Sequence, residues 1–260
     1  MSDRAPASDS AGDRDWRLIP RGQFDAYTNM AIDEAIQERV ADGADPVIRF
    51  YRWEPAAVSI GYFQRLEHEV DVARCERDGI DYVRRRTGGG AVYHDPEGEL
   101  TYSVIAPESV YPSDVEESYR SIIGRVIDGF ASLGIEAEFA PINDVEVDGR
   151  KLSGSAQTRR DGVLLQHGTL LYDLDPEQMF TALSVDAEKI SDKHLERARD
   201  RVATVRSLSE ASMADLHAAM IDAFTKDRTF RESDYREAEL ERAAELAETR
   251  YATDGWNFKR

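Results

Sequence analysis

The sequence predicts an α+β fold, with mixed or antiparallel β-sheets flanked by helices. Three observations point there. Two β-branched and aromatic runs, "PVIRFYRW" (46–53) and "AAVSIGYF" (56–63), stand either side of Glu54-Pro55 and read as strands. Asp148-Gly149 and Asp161-Gly162 interrupt a long alternating segment, 136–174, and both pairs are hairpin signals. Segments 29–43 and 115–134 space their apolar residues as helices do. Strand pairs enclosed by helices, rather than a regular strand–helix alternation, give the α+β class.

Each element has its own local reason. Residues 1–15, "MSDRAPASDSAGDRD", are polar with no apolar centre, so they read as a disordered tail rather than a secretory leader. Asn29 offers an N-cap and Gly43 a stop for the first helix. "HEVDVARCERDGI" (68–80) is a short amphipathic helix ending near Gly79. "LTYSVIAP" (100–107) reads as a strand, and Gly134 closes the helix over 115–134. From 175 onward helices dominate, notably 208–226 and 232–249. Neither an internal repeat nor a linker stands out, so 16–260 is taken as one domain.

Composition excludes several functions. The net charge is −18, with 51 acidic against 33 basic residues, so non-specific nucleic-acid binding is not expected. Acidity spread along the chain suits a solvated surface and a halophilic protein. No apolar run reaches membrane-spanning length, and the expected location is cytoplasmic. A single cysteine, Cys75, excludes an intrachain disulfide. Only five of the basic residues are lysine, and none precedes Lys151.

Two stretches concentrate chemistry. "RRRTGGGAVYHD" (84–95) joins three arginines to three glycines. Glycine lets backbone N–H groups approach an anion, and arginine supplies a forked permanent cation. The spacing is neither a P-loop nor a dinucleotide fingerprint, and a Gly-rich turn with incidental surface arginines is the plain alternative. "PINDVEVDGRKLSGSAQ" (141–157) offers Asn143-Asp144, then Lys151, then small residues. An Asn-Asp pair suits a metal-bound phosphate or a ribose, and a compact ammonium stabilises charge on phosphate and carboxylate. The alternative is a turn followed by a hairpin cation. Lysine's scarcity favours the first reading, since arginine serves as surface cation elsewhere.

"RRRTGGGAVYHD", "NDVEVDGRKLSGSAQ" and "QHGTLLYDLD" together resemble, in order and spacing, the lipoate–protein ligase A family, of biotin/lipoate ligase-like fold. "RFYRWEPAAVSIGYFQ" (49–64) and "YATDGWNF" (251–258) extend the resemblance over about residues 16–258. The resemblance implies an ATP-dependent catalytic domain over 16–260. Lipoate and Mg2+-ATP form lipoyl-adenylate and pyrophosphate, and an acceptor lysine then takes the acyl group. The acceptors implied are 2-oxoacid dehydrogenase acyltransferase domains or the glycine cleavage H protein.

Carried over residue by residue, Arg85 contacts the nucleotide phosphates, and Gly88 and Gly89 keep the loop open. Gly90, Ala91, Val92 and Tyr93 shape the loop around the nucleotide. Asn143 and Asp144 hold Mg2+-phosphate, with Asp144 reaching the metal through phosphate. Lys151 bridges the α-phosphate and the lipoate carboxyl oxygens. His94 and His167 either bind ligand or are satisfied structural histidines. Tyr62, Phe63 and Tyr93 line the dithiolane tunnel or the core, and Asp33 and Glu34 are expected on a solvated helix face.

Two departures bear on the reaction. Octanoyltransferases of the same fold use a nucleophilic cysteine, whereas Cys75 lies in "DVARCERDG", far in sequence from Lys151 and beside acidic residues that disfavour a thiolate. The longer ligases also continue past the segment resembling "YATDGWNF", so a separate accessory subunit is expected to replace that domain. An octanoyl- or lipoyl-amidotransferase, and a non-catalytic module binding acyl-adenylate, are the alternative functions.

Overall fold

The computed structural model describes residues 15–173, 178–179, 182–183 and 200–260. Most of the expected N-terminal tail, residues 1–14, and parts of the expected helical stretch after 174 lie outside the described residues. The strands are β1 (Trp16–Ile19), β2 (Gln23–Phe24), β3 (Val47–Trp53), β4 (Ala57–Ile60), β5 (Asp81–Arg84) and β6 (Val92–His94). They continue with β7 (Glu99–Pro107), β8 (Glu138–Ala140), β9 (Asp144–Val147), β10 (Arg150–Arg160), β11 (Val163–Leu171) and β12 (Phe230–Glu232). The α-helices are α1 (Ala26–Ala41), α2 (Leu66–Glu69), α3 (Val72–Asp78), α4 (Val115–Ser132), α5 (Val205–Leu208), α6 (Met213–Thr225), α7 (Glu237–Leu246) and α8 (Asp254–Asn257).

Among the described residues a nine-stranded sheet runs β12-β1-β3-β7-β11-β10-β9-β8, with β2 also paired to β3. The β1 pairings are parallel, and the run from β3 through β8 is antiparallel. A second, three-stranded sheet runs β5-β4-β6. This is the expected mixed α+β architecture. Both hairpin signals hold: Asp148-Gly149 and Asp161-Gly162 adopt positive φ at both residues, as a type I′ turn requires.

Helices cover both faces of the large sheet. On one face, Ile122, Val126 and Phe130 of α4 and Leu216, Met220 and Phe224 of α6 pack on Phe50, Tyr102 and Val104. On the other, α1 and α7 pack on Val47, Ile105 and Leu165. The small sheet has its own cluster, with Val58, Ile60, Tyr93 and Cys75.

The first helix departs from its sequence reading. It begins at Ala26 because the Asp25 side chain accepts from Thr28 N–H, and that cap precedes Asn29. Asn29 is instead buried, donating to the carbonyls of Phe24 and Arg52. Asp33 and Glu34 are also buried, not on a solvated face. Asp33 pairs with Arg49 at 2.7 Å, and Glu34 meets Arg86, Arg250 and the Tyr251 hydroxyl. The helix is enclosed on its polar side as well, which makes such pairing obligatory. No helix among the described residues is long and apolar enough to cross a membrane.

Candidate functional site

A cavity of about 250 Å³ opens between the two sheets. One wall is β4, β6 and the loop between β5 and β6: Ser59, Arg85, Gly89, Gly90, Ala91, Val92, Tyr93 and His94 all line it. The other wall holds Asn143, Lys151, Ser155 and His167. The two motifs, 84–95 and 141–157 in the sequence, thus face one space. Gly88 and Asp144 sit at its margins: Gly88 accepts from Arg85, and Asp144 pairs with Lys151.

Lys151 stands where β10 is irregular. The β9–β10 register shifts between Lys151 and Ser153. The Lys151 N–H donates to Arg201 O at 2.9 Å, and Ala203 N–H donates to Lys151 O at 2.8 Å. Its backbone is therefore fixed while its ammonium, half-exposed, lies 2.8 Å from Asp144 Oδ1. The side chain folds over Gly154, where an added methyl would sit 2.6 Å from Nζ. Such a partly exposed pair contributes only about 0–1 kcal/mol, so the ammonium is readily given up to a ligand.

The glycine loop is positioned from two sides. Gly89 has φ +97°, a conformation that suits glycine. Gly61, at the end of β4, sits beneath the loop: a methyl there would lie 2.0 Å from the Gly89 carbonyl oxygen. Tyr62 N–H donates to Thr87 O at 2.8 Å. Arg85 is buried, and burial pulls its guanidinium down to about 10. It donates to the Ser59 carbonyl and hydroxyl, to Thr87 Oγ1, and to the carbonyls of Gly88 and Gly90.

Both histidines are buried cavity-lining residues with both ring nitrogens engaged. His94 Nδ1 lies 2.9 Å from Glu99 Oε1 and Nε2 lies 2.8 Å from Ser59 Oγ, while the ring stacks on Trp53. His167 Nδ1 lies 3.2 Å from Asp33 Oδ2 and Nε2 lies 2.8 Å from Thr87 Oγ1. Burial pushes His167 below its ordinary value of 6.5, against the pull of Asp33. The sign follows from linkage: the unfolded chain takes up a proton that the folded ring refuses. This stabilisation is present above pH 6.5 and is lost as pH falls toward the lowered value. The melting temperature should therefore fall as pH drops below 6.5, and His167→Gln should flatten that slope. An unchanged slope in the variant would remove His167 as its source.

Several expected positions fall elsewhere. Tyr62 and Phe63 do not line the cavity: Phe63 is 71% exposed, and Tyr62 packs edge-on to Trp256 beneath Lys259. The β4 strand ends at Ile60, so both aromatics lie past the turn at Gly61. Apolar lining comes instead from Met30, Tyr51, Trp53, Leu171, Met179 and Val202. Cys75 is fully buried in the small-sheet cluster, outside the cavity lining, and burial followed by nearby acidic groups pushes its thiol up to about 12.

Sequence reasoning missed Asp33, Ser59, Gly61, Thr87 and Glu99. For Asp33 a signal existed: Asn29, Asp33 and Gln37 recur every four residues on a helix facing a strand that contains Arg49. Ser59, Thr87 and Glu99 had none, since each is an ordinary residue of a strand or loop.

A lysine and an arginine–glycine loop thus face one cavity on a mixed α+β framework. The chain belongs to the lipoyl protein ligase A/B catalytic domain family, whose model matches residues 25–225. A curated relative is octanoyltransferase LipM of Staphylococcus aureus, 38% identical over 94% of this chain and 99% of the relative. A bi-partite lipoate protein ligase of Thermoplasma acidophilum, studied with its E2 lipoyl domain, superposes with a TM-score of 0.84. It is 33% identical, covering 94% of this chain and 96% of the other. A lipoate–protein ligase A bound with ATP gives a TM-score of 0.79 at 30% identity, over 94% and 98% of the chains. A T. acidophilum structure with bound lipoic acid gives 0.78 at 30% identity, over 94% and 99%.

Proposed function

We propose that this chain is an ATP-dependent lipoate–protein ligase. The observation that carries the reading is the placement of its two candidate reactive groups: Lys151 faces the cavity, whereas the only cysteine in the sequence, Cys75, is buried outside its lining. A thioester route through cysteine needs a thiolate in reach of the acyl group. An adenylate route needs a cation between carboxylate and phosphate.

In the first step a lipoate carboxylate oxygen attacks the α-phosphorus of ATP, the bond to the β-phosphate oxygen breaks, and pyrophosphate leaves. Lys151 moves from Asp144 to the oxygens shared by carboxylate and α-phosphate. Gly88–Val92 wrap the nucleotide, and the apolar lining takes the acyl chain. In the second step a neutral acceptor amine attacks the acyl carbonyl, AMP leaves with the electrons of the broken C–O bond, and the nitrogen's surplus proton passes to solvent to leave the amide. Among the described residues no three His, Cys, Asp or Glu side chains assemble as a metal site. Asp144 alone beside Lys151 fits a Mg2+ ion held mainly by phosphate oxygens, which would lower the charge on the leaving pyrophosphate. The acceptor is proposed to be a lipoyl domain. A second subunit is proposed as partner, by analogy with the bi-partite relative.

A second reading is favoured by the curated relatives, which are named octanoyltransferases: this chain would then transfer octanoyl from a carrier protein without ATP. One set of assays separates them. The ligase should catalyse lipoate-dependent ATP–pyrophosphate exchange, and Cys75→Ser should retain it. ATP-independent octanoyl transfer from an acyl carrier, abolished in a folded Cys75→Ser protein, would establish the transferase instead.

A further inference from the structure

A guanidinium has five N–H donors and no acceptor. All five of Arg85 are taken within the protein: Nε–H by Thr87 Oγ1 (3.1 Å), Nη1 by Ser59 O (3.0 Å) and Oγ (3.2 Å), and Nη2 by Gly88 O (2.7 Å) and Gly90 O (2.8 Å). No donor is left for a phosphate in this arrangement. Arg85 is also not paired with a carboxylate; in this it is like the buried Arg84, whose donors go to backbone carbonyls, and unlike Arg17 and Arg49.

Two of its acceptors end longer chains of hydrogen bonds. Ser59 leads to His94 and Glu99, and Thr87 leads to His167 and Asp33. The directions are consistent throughout. Each carboxylate accepts Nδ1–H, each Nε2 accepts a hydroxyl proton, and each hydroxyl oxygen accepts from Arg85. The outer ends are fixed too. Glu99 accepts from Thr101, and Asp33 accepts from Ser103 and Arg49. Every member is buried, and apart from Glu99 Oε2 and Arg49 Nε the side-chain polar atoms of the chains are paired, an arrangement that favours rigidity.

Arg85 passes this rigidity to the loop. A trans peptide unit is planar, with its C=O and N–H pointing in opposite directions. Drawing the carbonyls of Gly88 and Gly90 inward turns the N–H groups of Gly89 and Ala91 away from Arg85. Among the described residues neither N–H meets an acceptor, and both residues line the cavity. We propose that Arg85 is a positioning residue, held by the Ser59–His94–Glu99 and Thr87–His167–Asp33 chains. It presents the Gly89 and Ala91 N–H groups to the phosphate oxygens of the nucleotide. The inference rests on the nucleotide reading under Proposed function, and makes the cation at this motif a support for neutral donors.

The test is an amide and guanidinium NMR titration of the whole protein with inorganic pyrophosphate and with ATP. The Gly89 and Ala91 amide protons should shift on binding, while the Arg85 Nε–H resonance stays in place. Ser59→Ala removes one acceptor from Arg85. It should raise KM for ATP about tenfold, the scale of one charge-assisted hydrogen bond, with KM for lipoate unchanged. Thr87→Val should do the same and Thr87→Ser should restore it. Binding that shifts Arg85 Nε–H and leaves both amides unmoved would overturn the inference alone, and the wild-type titration needs no variant to show it. Failure of the wild-type protein to bind either probe would overturn the nucleotide reading, and this inference with it.

Discussion

Lys151→Ala should lower lipoyl-adenylate formation on the order of 10²–10³-fold, the usual cost of losing one preorganised donor at developing charge. The expectation comes from the chain's own geometry. The Lys151 backbone is locked on both sides by Arg201 and Ala203, so Nζ moves only by its side-chain torsions. It rests 2.8 Å from Asp144, a pair weak enough to exchange for ligand oxygens. Lys151→Arg should be impaired as well. The lysine passes over Gly154 with no slack, and a planar fork is wider than an ammonium. ATP–pyrophosphate exchange with lipoate measures the loss directly. Acyl transfer from pre-made lipoyl-adenylate should be slowed as well, because the phosphate that leaves with AMP is the one Lys151 contacts. Exchange by Lys151→Ala close to the wild-type rate would show that adenylation does not pass through this lysine.

Much of this site was legible because it departs from the chain's own habits. Lysine is rare here, so its position among small residues drew attention, and three consecutive glycines after three arginines are not an ordinary turn. The α+β class followed from strand runs and Asp-Gly turns, which report local backbone preference and survive into the structure. Roles were less legible than positions. Arg85 was recognisable as functional, but whether its donors face a ligand or a loop carbonyl depends on where Ser59 and Thr87 come to lie. That is a property of strand pairing between distant segments. Asp33 shows the same limit: helical periodicity separates apolar from polar faces, and cannot reveal that the polar face will also be covered, here by Arg49 and Ser103. Strands β1 and β12 escaped because four and three residues are too short for a period to register.

Gly61→Ala should be nearly as damaging as loss of Lys151, although Gly61 has no side chain and lies outside the two stretches that concentrate chemistry. The added methyl would fall 2.0 Å from the Gly89 carbonyl oxygen, 2.9 Å from its carbon and 3.1 Å from the Gly88 carbonyl carbon. All three are backbone atoms, so no side chain can swing aside. Relief requires either β4 or the loop to move by roughly 1 Å, a displacement that can cost about 10²-fold when it misaligns reacting groups. The loop is the softer partner. β4 is paired on both sides, to β5 and β6, whereas Gly88–Gly90 belong to no strand. The loop also cannot move freely, because Gly88 and Gly90 are tied to Arg85, so its displacement strains the same bonds that orient it. The expected result is a loss of exchange rate of about two orders of magnitude with a smaller change in melting temperature. Gly124→Ala, in open space on α4, controls for replacing a glycine as such. Near-normal exchange by Gly61→Ala would mean that the loop reaches its working position without resting on β4. The close approach would then belong to the free enzyme alone.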